Sequence, residues 1–483
     1  MGMYLSVSFA ISVLMPYIIR LLSRIGLIAF SGIFSEPNMN GTIKVTGGRK
    51  LKGEVTPIPN KNSVVAVIPA AVLSNKTIVY KDTPKTSDVA KLCKIIEKLG
   101  GEVVDKGDGE LRINCKNLDS YHVDEELGGQ FRASLMFIGP LLARFGIAEV
   151  PIPGGCDLGM RSIEAHTNVF EKAGVEVERM GNYVRFRAPR VKAKKYTVWQ
   201  IEASVTATEN FAMYAAGIRS EVELFDAASE PHVTDLLSLL SQMGASISGI
   251  GSNRLMIRGK KSLGKAVFTP RPDFIDISGY IIAAAVTNGE ITIKGANIPD
   301  IVDGMVNWYS MFNISIQRKG KNLVVKCGKG GLITDVNKSG FPLAAPNLPK
   351  FAPRPWPGFP VDALPPMAVL ASKSSGRLLI QNWMYESGLD FVRELNAMGA
   401  DIFMIDTQRI IITGPVTFKG GEVTPPSVIQ SVKAVFLAAL ADPAVTIIHG
   451  TDILKRRYPN IIEVYKKLGA KIEVVNEVTS KVK

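Results

Sequence analysis

The sequence predicts an α/β protein of two domains, each holding three copies of one helix-and-strand unit, and three observations carry that expectation. The chain has 483 residues, more than one hydrophobic core covers, so two domains of roughly 200 residues are expected. A signature recurs six times: an amphipathic helix, a Gly or Asn, then the first residues of a strand. Each strand alternates polar and apolar residues, as in Lys471-Ile472-Glu473-Val474, which suits small sheets with one face on helices and one in water.

The turn residues are Gly100, Gly174, Gly244, Asn313, Gly399 and Gly469, spaced by 74, 70, 69, 86 and 70 positions. Gly and Asn tolerate the left-handed conformation that ends a helix before a strand begins. Six such junctions at near-constant spacing point to units arranged three and three. Asn313 marks the weakest copy, and the long interval after it holds a proline-dense stretch, Pro342 to Pro366, read as an ordered loop insertion. No GxGxxG follows a strand and no GxxxxGK[ST] occurs, so a doubly wound nucleotide-binding sheet is not expected.

Residues 1–38 form an apolar leader. Met3 to Ile19 is uncharged, followed by Arg20 and Arg24, yet it spans only 17 residues and contains Pro16, marginal for a membrane span and poor as a signal peptide. Met1-Gly2 fits a myristoylation pattern weakly. The leader is membrane-associated, or translation starts at Met39.

Beyond the leader the composition is that of a folded globular protein, 46% hydrophobic and 21% charged. The net charge of +13 favours anionic partners, and with no basic run or basic-aromatic alternation these are small anions rather than nucleic acid. Four separated cysteines without a CxxC pair, and four histidines without HxxxH spacing, support neither a metal site nor a redox dithiol and suit a reducing, cytoplasmic setting. No metal and no cofactor are expected.

Four segments carry candidate chemistry. Pro57 to Ser63 places Lys61 and Asn62 before an apolar helix over Val64–Leu73; a helix start beside an ammonium can hold an anion, or the segment is simply a capped polar turn. Arg132 leads an apolar helix through Phe137 and Leu142, as an anion ligand or a surface ion pair. Pro153-Gly154-Gly155-Cys156-Asp157-Leu158-Gly159 presents a thiol five residues before Arg161, a setting in which cysteine is available for proton transfer or nucleophilic work rather than inert in a core. Asp362 ends the proline-rich stretch, as a stiffly held general base or a solvated carboxylate.

Taken in order on a six-unit chain, these segments resemble the UDP-N-acetylglucosamine enolpyruvyl transferase family over about residues 41–475. The Lys-Asn turn, Arg132-Ala133-Ser134, Gly139-Pro140-Leu141 to Gly146, the Pro-Gly-Gly-Cys loop with Arg161, and Glu230-Pro231 carry the likeness. It implies two inside-out α/β barrel domains: residues 61–270 with the Cys loop, and residues 40–60 plus 271–475 with Asp362. It also implies transfer of the enolpyruvyl group of phosphoenolpyruvate to the 3-hydroxyl of UDP-N-acetylglucosamine with release of phosphate, the first committed step of peptidoglycan synthesis. Cys156 then matches the proton donor and Asp362 the base on the sugar hydroxyl. Lys61 and Asn62 match the phosphoenolpyruvate site, and Arg132 and Arg161 the anion-binding arginines. Ser162, Ile163, Glu164, Ala165 and Met384 align with uridine and sugar contacts, with Ser162 in place of a usual Pro. Ser204, Val205 and Thr206 match the diphosphate contact, with Thr in place of Gly.

Two family arginines facing phosphoenolpyruvate fall on Gly388 and Ile429, and Arg393, Lys433 and Arg456 lie near enough in sequence to compensate. These departures leave room for a diverged transferase acting on another nucleotide or sugar, or for a non-catalytic paralogue that binds a nucleotide sugar. The RNA 3′-phosphate cyclases and the shikimate-pathway relative fit less well, since His449 lies in an apolar strand and the chain carries the Cys loop.

Overall fold

The computed structural model describes residues 41–153, 162–191, 193–339, 341–385 and 387–475, so the leader lies outside the described residues. Within them the strands form six small sheets, one three-stranded, four four-stranded and one five-stranded. All six junction residues have positive φ, from 55° at Asn313 to 110° at Gly244, so each helix ends through the left-handed turn that its Gly or Asn permits.

The apolar side chains gather into two clusters. One runs from Val64 to Phe268, and the other joins Ile43–Val55 to Phe274–Ile472. In each, three helices are buried around almost their whole circumference. The first has Lys61–Val67 continued by Pro69–Leu73, Arg132–Phe137 continued by Ile138–Phe145, and Val205–Gly217. The second has Phe274–Val286, Leu364–Lys373 and Ile429–Ala441. A helix that is apolar all round must be enclosed, and Phe274–Val286 has every residue buried. Outer helices such as Ser87–Lys98 instead bury one stripe, here Val89, Leu92, Ile95 and Ile96.

Two sheets are completed by strands distant in sequence from their partners. Ala266–Phe268 lies parallel to Ile78–Tyr80, and Lys52–Val55 lies parallel to Glu290–Ile293. The chain therefore passes between the two clusters twice, and the passing segments pair: Asn60 N–H donates to Arg271 O at 2.8 Å and Asp273 N–H to Ile58 O at 2.8 Å.

Two sequence expectations are corrected here. The helix expected over Val64–Leu73 starts at Lys61, and its α-helical part ends at Val67, with a 3-10 segment from Pro69, because proline supplies no N–H to continue the ladder. The Pro342–Pro366 stretch is not wholly loop: Leu343–Ala345 and Leu348–Phe351 are strands. Pro365 and Pro366 sit in the first turn of Leu364–Lys373, where a missing N–H costs nothing. Among the described residues, no helix is long and apolar enough to cross a membrane.

Candidate active site

The repeat explains where several of the candidate residues fall: Lys61, Asn62, Arg132, Ser204 to Thr206 and Asp362 lie at the starts of central helices. Asn60 is the N-cap of the first, and its Oδ1 accepts from Asn62 N–H at 3.1 Å and Ser63 N–H at 3.3 Å. The expectation that those N–H groups would hold an anion is therefore corrected, since the cap already occupies them. What Lys61 offers is its ammonium, which is largely buried and ion-paired with Asp88. Burial lowers the Lys61 pKa while Asp88 opposes the shift. Burial would by itself raise the Asp88 carboxyl, but Lys61 and then Arg456 hold it below its ordinary range.

Arg456 reaches Asp88 at 3.5 Å, and the next residue turns the other way. Arg457 Nη1 donates to Asp362 Oδ2 at 3.1 Å, while Nε and Nη2 donate to the two carboxylate oxygens of Asp273 at 2.9 Å each. One Arg-Arg pair thus ties the Lys61 side of the molecule to the Asp362 side. Asp362 lies in the short turn Val361–Ala363 just before a central helix, and its side chain is 36% exposed. His232 is close enough to feel Asp362: burial pushes its pKa down to about 4, with Asp362 opposing.

On the first cluster, Arg132 Nη2 donates to Ser162 O at 2.7 Å, and Ser162 Oγ accepts from Glu164 N–H at 2.9 Å. These bonds fix the start of Glu164–Glu171, with Ile163 buried as its N-cap and Ala165 within its first turn. Ser204 caps Val205–Gly217 without a side-chain bond. Thr206 Oγ1 sits 3.0 Å from His166 Nε2. The tautomer follows from Asn210, whose Oδ1 accepts from Gly139 N–H at 2.6 Å and whose amide nitrogen donates to Leu135 O at 2.7 Å and His166 Nδ1 at 3.2 Å. Nδ1 is the acceptor, so Nε2 carries the hydrogen and donates to Thr206, whose own hydroxyl hydrogen is left to bond elsewhere. Burial pushes the His166 pKa down to about 3 and keeps it neutral.

Met384 follows Trp383, which anchors to Pro353 O at 2.9 Å, and Met384 N–H donates to the buried Asn382 at 3.3 Å. Cys156 and Arg161 lie outside the described residues. Of the three cations near the missing arginines, only Arg456 joins the Lys61 group. Arg393 is exposed and pairs with Glu394. Lys433 is 1% exposed and its ammonium faces the rings of Tyr458, Tyr465 and Tyr280 at 4.5, 4.7 and 5.7 Å. Burial lowers its pKa to about 8, with Asp276 opposing.

Sequence reading missed Asp88, Asp273, Arg457 and the His166–Asn210 pair. Only Asp273 carried a local signal, as an acidic residue immediately before the next apolar helical run. Among the described residues, no group of three or more His, Cys, Asp or Glu side chains could hold a metal. A cavity of about 710 Å3 lies elsewhere, at the C-terminal ends of the first cluster's central helices, lined by Lys116, Arg144, Arg219, Lys260 and Lys261. Cations there offset the negative ends of the helix dipoles, and Arg144 donates to Val72 O and Lys116 O.

With ammonium, guanidinium and carboxylate groups converging at one end of the central helices, the arrangement can hold a small phosphorylated acid and take a proton from a hydroxyl. The model of the EPSP synthase (3-phosphoshikimate 1-carboxyvinyltransferase) family matches residues 45–465. The UDP-N-acetylglucosamine 1-carboxyvinyltransferase of Bradyrhizobium diazoefficiens is 34% identical over 90% of this chain and 98% of its own length. Its namesake in Treponema denticola is 34% identical over 89% and 98%. Among solved structures, the enolpyruvyl transferase NikO from Streptomyces tendae superimposes with a TM-score of 0.79 at 21% identity, covering 90% of this chain and 99% of that one. The six-sheet architecture is thus the enolpyruvyl transferase fold, and the chain belongs to the enolpyruvyl transferase family of the UDP-N-acetylglucosamine 1-carboxyvinyltransferases.

Proposed function

We propose that the protein transfers the enolpyruvyl group of phosphoenolpyruvate to the 3-hydroxyl of UDP-N-acetylglucosamine, with release of phosphate. One observation carries the reading: adjacent Arg456 and Arg457 join the Lys61–Asp88 pair to Asp362, so a cation set and a partly exposed carboxylate lie at one place.

Asp362 takes the proton of the sugar hydroxyl as its oxygen bonds to C2 of phosphoenolpyruvate, and the Cys156 thiol protonates C3. The C2–O bond to phosphate then breaks, phosphate leaves with the bonding pair, and loss of a proton from C3 restores the double bond as an enol ether. Lys61, Arg456, Arg132 and Arg161 supply the positive field for the phosphate and carboxylate. Thr206, its hydroxyl oriented by His166, donates to the diphosphate from a helix start whose dipole favours anions. Ser162 to Ala165 and Met384 line the uridine and sugar. Residues 61–270 and residues 40–60 plus 271–475 are the two domains, with the site between them.

The test is to incubate the protein with phosphoenolpyruvate and UDP-N-acetylglucosamine while following phosphate release and product mass. Release coupled to a product heavier by one enolpyruvyl group is expected; release only with a different nucleotide would remove the acceptor assignment. Cys156→Ser is expected to abolish alkylation by the epoxide fosfomycin, and labelling that persists would remove Cys156 as the reacting thiol.

A further inference from the structure

We infer that Arg457 is the positioning residue for Asp362, orienting that carboxylate for proton transfer from the acceptor hydroxyl; this rests on the enolpyruvyl transfer reading. Arg457 is 4% exposed, and two of its donors form a fork on Asp273, which is fully buried. Asp273 is itself anchored, because its Oδ1 caps Phe274–Val286 by accepting from Ile275 N–H at 2.9 Å and Asp276 N–H at 3.3 Å. The guanidinium is therefore clamped from behind by a helix cap, and its planar geometry aims the remaining Nη1 at Asp362.

The consequence for Asp362 is an asymmetry between its oxygens. Oδ2 accepts from Arg457, and among the described residues no protein donor is placed on Oδ1. One oxygen is held while the other is available for a proton, and the side chain's partial exposure opens it to a ligand. Burial by itself would lower the Arg457 pKa, but Asp273, then Tyr458 and Asp362, raise it above the ordinary arginine value, so the clamp keeps its charge at every working pH. A lysine could not replace it, because one Nζ cannot span two carboxylates that need three aligned donors.

The experiment compares Arg457→Lys with the double variant Arg457→Met/Asp273→Asn, which removes both buried charges together and protects the fold from an orphaned carboxylate. Crystal structures, melting temperatures and steady-state constants are measured for each. The expected result is an Asp362 carboxylate displaced or split between two conformers in both variants. kcat should fall about 10- to 100-fold while both KM values stay within about threefold, as for loss of an oriented catalytic group. A folded variant with Asp362 unmoved, or with Asp362 displaced but kcat at the parental level, overturns the inference. If Arg457→Lys fails to fold, the double variant decides. If the parental protein turns over no UDP-N-acetylglucosamine, the functional reading fails, while the Asp362 coordinates still decide the positioning role.

Discussion

The two halves build their site ends on the same plan and fill them with opposite charge. In the first half the central helices begin at Lys61, Arg132 and Val205, giving two cations and a threonine hydroxyl. In the second, Asp273 caps Phe274–Val286, Asp362 precedes Leu364–Lys373, and Ile429 opens the third helix. A helix start favours negative charge, so carboxylates there need little help, whereas Lys61 and Arg132 sit against the dipole and need partners. Asp88 serves Lys61, and the Ser162 carbonyl serves Arg132. In the proposed mechanism the first half binds the anion and the second removes a proton, and the Arg456-Arg457 pair stands between Asp88 and Asp362.

The largest effect should come from Lys61→Gln, which removes the buried cation of the first half and leaves Asp88 facing Arg456 alone. A charge-assisted hydrogen bond is worth about 1.5–3 kcal/mol, so kcat/KM should fall about 10- to 150-fold. A loss of less than threefold in steady-state assays would mean that Lys61 only neutralises Asp88. Arg456→Gln should do less, on the order of tenfold, mainly through KM for phosphoenolpyruvate, because its side chain is 46% exposed and solvent screens its charge. An equal fall in kcat with unchanged KM would move Arg456 from binding to the transition state.

Stability against pH tests the first half, which holds both buried histidines. His166 is held neutral down to about pH 3, and His232, although Asp362 opposes its shift, down to about pH 4. Both pKa values are depressed, so below about pH 6.5 the unfolded chain takes up protons that the folded one refuses. Stability therefore falls with acidification, by up to about 1.4 kcal/mol per pH unit for each histidine. His166→Gln should flatten the loss between pH 6.5 and 4.5 by about 2 kcal/mol in urea unfolding series. An unchanged slope would show that His166 is protonated in the folded state, which would break the hydrogen-bond direction assigned to Thr206.

The local parts of this structure could be read in the sequence and the long-range ones could not. Gly100, Gly174, Gly244, Asn313, Gly399 and Gly469 report the repeat because a positive φ restricts residue type at a single position. Asn60 is equally local: an Asn directly before the more conspicuous Lys61-Asn62, it is the residue that caps the helix. Arg457 gave no sequence signal, since its partners Asp273 and Asp362 lie 184 and 95 positions away, and Asp88 meets Arg456 across 368. The crossing of Asn60 and Asp273 between the two cores makes those meetings possible, and no periodicity encodes a crossing.

The smallest effect concerns Gly388, where the resemblance places an arginine. A Cβ built there lies 1.9 Å from Asn382 Nδ2 and 3.2 Å from Tyr385 Cβ. Asn382 is 1% exposed and its Oδ1 accepts from Met384 N–H, so its amide cannot swing into water without releasing the segment that carries Met384. Gly388→Ala should therefore cost about 1 kcal/mol, the lower end for forcing a well-packed group aside, and raise KM for the acceptor a few-fold with KM for phosphoenolpyruvate unchanged. Gly388→Arg should show the same cost and no gain in phosphoenolpyruvate affinity, because this backbone is packed around the absence of a side chain and Arg456 already stands by Lys61. A Gly388→Arg protein that binds phosphoenolpyruvate tenfold more tightly would show instead that the second half lacks a cation its fold can still accept.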